Sequence, residues 1–211
     1  MSSPYHRYNL VRNPFGELTP AERAELAVVP EADAYLALLA SNGRVAIQFL
    51  GDCGRGKSTH LLHLAARLPA ATYVYFPEDG PRPPLPASDG VLIIDEAQRM
   101  GWLRRRQMIR SGRPLVLGSH RNLCKQLQLG GYAVTSIELD GRRSPAQLNE
   151  ICERRIMAAA ADPQRPLPCV GLTLATNLLL RHGSDIRAIE AELYESFQAT
   201  LQKGLAWPPP T

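Results

Sequence analysis

Eight consecutive residues, Gly51-Asp52-Cys53-Gly54-Arg55-Gly56-Lys57-Ser58, fulfil the pattern G-x-x-x-x-G-K-[ST] in full. Glycines at that spacing let a loop wrap so that successive backbone N–H groups, with the start of the following helix, point at phosphate oxygens. Lys57 would offset the β- and γ-phosphates, the Ser58 hydroxyl would ligate magnesium, and Thr59 would follow in the same first turn. The chain places only three lysines, at 57, 125 and 203, so Lys57 is the sole lysine of the first 124 residues. Thirty-odd residues on, the acidic pair Asp95-Glu96 follows an apolar run. An aspartate there can hold magnesium, and a glutamate can polarise an attacking water. Alone the pair would be an ordinary solvated turn; beside a phosphate loop the chemistry of triphosphate hydrolysis is the better reading. Cys53 lies within the loop, where a helix N-terminus could acidify a thiol, but a small residue in a variable position is the plainer reading. His60 and His63 read as helix-surface or packed side chains.

These groups need a scaffold that sets strand ends side by side. Arg44–Leu50 (RVAIQFL) is apolar enough for a buried strand before the glycine loop, and Leu61, Leu64 and Leu68 share one face of a helix after it. Strands are further expected at Thr72–Phe76, Val91–Asp95, Pro114–Gly118 and Ala133–Leu139. Prolines 77, 81, 83, 84 and 86 make Pro77–Gly90 an extended connection. Upstream, two short helices fit Ala21–Leu26 and Glu31–Leu39, with Asn42-Gly43 ending the second. The alternation of strand and helix argues for an α/β fold with a parallel five-stranded sheet flanked by helices.

After Asp140-Gly141 the pattern becomes helical: Ser144-Pro145 opens a helix to about Ala161, and Leu172–Arg181 and Asp185–Gln202 continue the series. The expected organisation is a nucleotide-binding core over residues 1–141 and a small all-helical domain over 142–211, ending in a frayed proline-rich tail from Trp207 to Thr211. Arg99–Arg110 reads as one short, very basic helix. It could meet DNA phosphates, an acidic partner or a neighbour's nucleotide, although a solvated helix with Trp102, Leu103 and Met108 in the core is the favoured reading.

Composition narrows the class. The 211 residues are 45% hydrophobic with a net charge of +4, enough for one α/β core and a satellite domain, and permissive of nucleic acid without demanding it. Four cysteines, at 53, 124, 152 and 169, form no metal-ligand spacing, so a reduced intracellular protein is expected. No apolar run reaches signal-peptide or membrane-span length, which points to the cytoplasm.

Asp95-Glu96-Ala97-Gln98, the phosphate loop and Asn13-Pro14-Phe15-Gly16 together resemble the AAA+ ATPases of the secretion-pathway and transposition-helper type. In that light the two motifs are Walker A and Walker B. The resemblance covers about Asn13 to Phe197 and implies Mg-ATP as ligand, hydrolysis, a helical lid, homo-oligomers and a protein or DNA partner. It further implies a γ-phosphate sensor at Ser119, with His120 the adjacent candidate, and a second sensor at Arg187. A polar strand end that caps the next turn, and an arginine paired to Glu190 or Glu192, are the plainer alternatives. Two departures stand out: the connection between the second and third strands is proline-rich where such ATPases have a helix, and Leu127–Ala133 lacks the usual arginine finger. Arg121, Arg142 or Arg143 could substitute.

Overall fold

The computed structural model describes residues 4–41, 43–141, 143–205 and 207–208. Asn42 of the expected turn, Arg142 and the last three residues of the tail lie outside the described residues. The chain divides into two compact units, Pro20–Asp140 and a second made of Met1–Thr19 with Gly141–Thr211.

The first unit is built on five strands, β1 (Val45–Leu50), β2 (Thr72–Tyr75), β3 (Leu92–Asp95), β4 (Leu115–Ser119) and β5 (Ala133–Glu138), in the order β2-β3-β4-β1-β5. Every pairing is parallel. Parallel strands covered on both faces must be apolar on both, and β1, β3 and β4 are buried along nearly their whole length. Side chains alternate between the faces. Ile47, Phe49, Ile93 and Val116 pack with Leu61 and Leu64 of α3 (Lys57–Arg67) on one side. On the other, Ala46, Leu92, Ile94, Leu115 and Leu117 pack with Met108 of α4 (Trp102–Ser111) and Leu127 of α5 (Cys124–Leu129). Two short helices, α1 (Pro20–Glu25) and α2 (Ala32–Ala40), complete the α3 face, where Tyr35 meets Phe49 edge-on at 5.5 Å between ring centroids.

Three features of this unit depart from expectation. The segment between β4 and β5 contains α5, which the sequence does not announce because six residues without a capping side chain give hardly two turns of periodicity. The basic segment is a 3-10 turn (Ala97–Arg99) followed by α4, broken at Gly101. Trp102 and Leu103, expected in the core, are 69% and 64% exposed. The inward positions of α4 belong instead to Met108 and to Arg104 and Arg105, whose guanidinium groups donate to the Arg82 and Met100 carbonyls. Long arginine stems cover apolar surface while their heads find main-chain acceptors, which turns the indole outward.

The second unit packs α6 (Pro145–Ala158), α7 (Leu172–His182) and α8 (Ile186–Lys203) round Leu148, Ile156, Leu178, Leu193 and Phe197. Ser144 accepts from the Gln147 N–H while the Gln147 side chain accepts from the Ser144 N–H, a capping box that fixes where α6 begins. The N-terminal nineteen residues, expected with the nucleotide-binding core, belong to this helical unit. Leu10 and Phe15 lie in its hydrophobic cluster, and buried Arg155 donates to the carbonyls of Pro14 (2.9 Å) and Gly16 (2.5 Å) while pairing with Glu190 (2.5 Å). The tail is also corrected at its start: Trp207 is 5% exposed, set against Phe15 and Phe197 at centroid distances of 5.5 and 5.2 Å, because burying an indole outweighs fraying.

Candidate functional site

The glycine loop joins the C-terminal end of β1 to α3, and its backbone takes the conformations that glycine alone tolerates easily. Gly54 and Gly56 have φ of 80° and 89°, so a Cβ at either would strain the turn. The Lys57 ammonium is buried and folds back over the loop, donating to the Gly51 carbonyl (2.7 Å) and the Asp52 carbonyl (2.9 Å). Burial lowers its pKa from the ordinary lysine value, against the opposing pull of Glu96, Cys53, Asp95 and Asp52. Ser58 and Thr59 occupy the first turn of α3. Arg55 pairs with Asp140 at 2.8 Å, tying the loop to the residues after β5.

The acidic pair sits at the corresponding end of β3. In the ladder Tyr73 lies opposite Ile93 and Tyr75 opposite Asp95, so Tyr73 and Asp95 share the face that carries α3. Accordingly the Tyr73 hydroxyl donates to Asp95 Oδ2 at 2.8 Å, and the Glu96 N–H donates to Oδ1 at 3.0 Å. Asp95 is 1% exposed, and burial together with this carboxylate pushes the Tyr73 phenol far above its ordinary value. Gly118 on β4 makes the room: a Cβ there would fall 2.9 Å from Asp95 Oδ1 and 3.2 Å from Leu61.

Glu96 has φ of 58°, an uncommon conformation for a residue with a long side chain. Its carboxylate accepts from Gln98 (2.7 Å), pairs with Arg99 at 3.3 Å, and lies 3.7 Å from His120. A strained residue at a strand end, held by surrounding bonds, is the pattern of a positioned functional group; such a conformation costs about 1–3 kcal/mol.

The strand order puts β4 between β1 and β3, so the residues following β4 stand between the two motifs. Ser119 is fully buried, and its hydroxyl donates to the Arg121 carbonyl and accepts from the Arg121 N–H. It closes the turn that presents His120. The His120 Nε2 lies 3.4 Å from Lys57 Nζ and 3.7 Å from Glu96 Oε1, and the His120 backbone N–H donates to Gln98 Oε1. One imidazole therefore touches both motifs. The turn is braced from below by Gln48 of β1, buried among apolar neighbours, which bonds Asn122, Ser136 and the Leu123 N–H.

Lys57, Asp95, Glu96 and the turn from Ser119 are thus collected in one unit. Arg187 belongs to the other unit, exposed in the first turn of α8 behind the Asp185 cap. The acids considered as its partners are engaged elsewhere, Glu190 with Arg155 and Glu192 with Arg181 and His182. Sequence reasoning assigned no role to Tyr73, Gln98 or Gln48. Gln98 stood within the quoted four-residue motif; the other two act through a strand register that no local pattern reveals.

No protein-family model matches the sequence, and no curated protein matches it. Solved structures do. Domain III of the Thermotoga maritima replication initiation protein DnaA is similar over 90% of this chain and 92% of that one, at a TM-score of 0.55 and 16% identity. AMPPCP-bound DnaA from Aquifex aeolicus is similar over 89% of this chain and 70% of its own, at 0.52 and 16%. Drosophila ORC bound to DNA is similar over 88% and 61%, at 0.53 and 14%. At such identities the likeness is one of fold. The five-stranded all-parallel sheet with its phosphate-loop crossover, followed by a helical C-terminal region, is the fold this chain shares with these replication proteins.

Proposed function

We propose that this chain is an AAA+ ATPase that binds Mg-ATP at residues 51–59 and hydrolyses it, passing the change of nucleotide state to a protein or nucleic-acid partner. The observation that carries the reading is the single imidazole of His120 bridging Lys57 of the first motif and Glu96 of the second. The residues present fit the ligand: a loop bent through two left-handed glycines, a buried ammonium folded over it, and a buried carboxylate at the neighbouring strand end. Magnesium would be held by Ser58 and Asp95, and when bound it would draw charge from the terminal phosphate. Lys57 supplies positive charge for the β- and γ-phosphates, and Tyr73 keeps the Asp95 carboxylate oriented toward the α3 face. Glu96 orients and deprotonates the attacking water, with Gln98 fixing the direction of its carboxylate. His120, presented by Ser119, takes the position that senses the γ-phosphate, and Arg187 is the second sensor. The replication initiators of like fold have nucleotide or DNA among their ligands, which favours DNA over protein as partner, and a homo-oligomer is the assembly we propose for it. The motif Asp95-Glu96-Ala97-Gln98 favours the secretion-pathway and transposition-helper branch, with residues 142–211 as lid and the cytoplasm as the site of action.

A second reading has its own support. The Glu96 carboxylate is engaged by Gln98 and Arg99, and Leu127–Ala133 offers no arginine finger. A nucleotide-gated binding module that holds ATP and hardly turns it over would have this arrangement. Phosphate release from Mg-ATP, measured across protein concentrations with and without DNA, separates the two. The ATPase reading predicts slow basal turnover that rises with assembly or DNA, and a fall of roughly two to four orders of magnitude in Glu96→Gln. Tight ATP binding with turnover that Glu96→Gln leaves unchanged would replace it with the binding module.

A further inference from the structure

The face of the first unit formed by α4 and α5 has a composition unlike the rest of the chain. From Ala97 to Ile137 there is no aspartate or glutamate, against seven arginines and one lysine. The two helices are neighbours: Arg105 of α4 donates to Gln126 of α5 at 3.1 Å, and a Cβ at Gly130 would strike Ile109 at 2.3 Å. Their outward residues are both cationic and apolar. Trp102, Arg106 and Arg110 recur every four residues and so line one exposed stripe of α4, with Leu103 beside it. Exposed Lys125 and a Leu129 that is 90% exposed continue it on α5.

We infer that this surface binds single-stranded nucleic acid, with the Trp102 indole stacking on a base while Arg106, Arg110 and Lys125 neutralise the adjoining phosphates. Two observations select this occupant. An indole left 69% in water on a helix whose arginines have taken the inward positions is a standing cost, offset when a flat aromatic base covers it. The absence of acids from the segment that carries both helices removes groups that would repel a polyanion there, and Arg106 and Arg110 are not recruited into any ion pair among the described residues. A duplex keeps its bases stacked on one another and gives the indole nothing to stack upon, whereas an unpaired strand offers a π-face at each nucleotide. The inference deepens the functional reading above by naming the class of partner, and it rests on that reading for its link to ATP.

The chain has two tryptophans, and Trp207 is shielded from contact with a strand, so a change in tryptophan emission on adding one reports on Trp102. Titration with a 20-mer of deoxythymidylate at several salt concentrations should quench the emission to saturation, with affinity falling steeply as salt rises. Trp102→Ala should abolish the quench and, read by anisotropy of a labelled strand, weaken binding about tenfold or more. Arg106→Ala with Arg110→Ala should weaken it comparably and flatten the salt slope by about two. Both variants change exposed side chains only, and unchanged melting confirms that they are folded. Wild-type affinity in both variants overturns the proposal. So does equal binding of a duplex without quench, equal binding of polyglutamate, or a fluorescence change that tracks self-association instead of added strand. Nucleotide affinity measured on the same samples keeps the two readings apart: lost strand binding with ATP still bound removes this surface alone.

Discussion

The two units bury polar groups for different ends. In the Pro20–Asp140 unit, Gln48, Lys57, Asp95 and Ser119 are all buried, and all lie in β1, β3 and β4 or at the start of α3, close to the strand ends that carry the motifs. In the helical unit, Asn9, Asn13 and Arg155 are buried to hold the first nineteen residues against α6 and α8. Asn9 donates to the Asp162 carbonyl, Asn13 to the Tyr194 carbonyl, and Arg155 to those of Pro14 and Gly16. Each buried polar atom must be matched or the fold loses its desolvation energy. The first unit meets that cost largely to arrange reactive groups, with buried Arg113 the exception that fastens the connection at residues 86–90; the second meets it largely to fasten a chain terminus. Mutations should therefore separate function from stability according to unit.

Arg155→Ala should have the largest effect on stability. It removes the buried guanidinium that pairs with Glu190 and donates to two carbonyls, so the helical unit should lose about 3–5 kcal/mol, which calorimetry would record as an earlier transition for that unit. A change below about 0.5 kcal/mol would deny the fastening role.

A smaller effect sharpens the other side. Because burial and Asp95 raise the Tyr73 pKa, the folded phenol keeps its proton where the unfolded one, with a value of roughly 10, has lost it. The unfolded state then binds fewer protons, so stability falls as pH rises above roughly 10. Denaturant titrations of wild type and Tyr73→Phe should diverge only there, the variant showing the shallower decline. Parallel pH profiles would mean that Tyr73 and Asp95 do not share a hydrogen bond in solution.

Much of the first unit could be read from residue order, for a physical reason. The phosphate loop is a local device whose glycines, lysine and serine lie within eight residues, and strands buried on both faces announce themselves as apolar runs such as LIID and LVLG. What escaped depends on contacts distant in sequence. Tyr73 meets Asp95 only because β2 pairs β3 in one register, and Gln48 finds Asn122 and Ser136 across two other strands. His120 rather than Ser119 faces the loop because the serine hydroxyl is consumed by the Arg121 backbone, a choice a strand-end motif leaves open. The outward turn of Trp102 followed from arginines that found main-chain acceptors, inverting the expectation that the indole is the buried member. The N-terminal segment and Trp207 depart from expectation because aromatic packing over nearly the full chain length has no local signature.

Every proposed step requires the ammonium of Lys57 to meet a triphosphate. Calorimetric titration of Mg-ATP into the wild-type chain and into Lys57→Ala measures this directly, with melting curves to show that both are folded. Saturable binding by the wild type and a loss of roughly a hundredfold or more in the variant is the predicted result. Equal affinity in the two proteins, or no heat of binding in a folded wild-type sample, would contradict it.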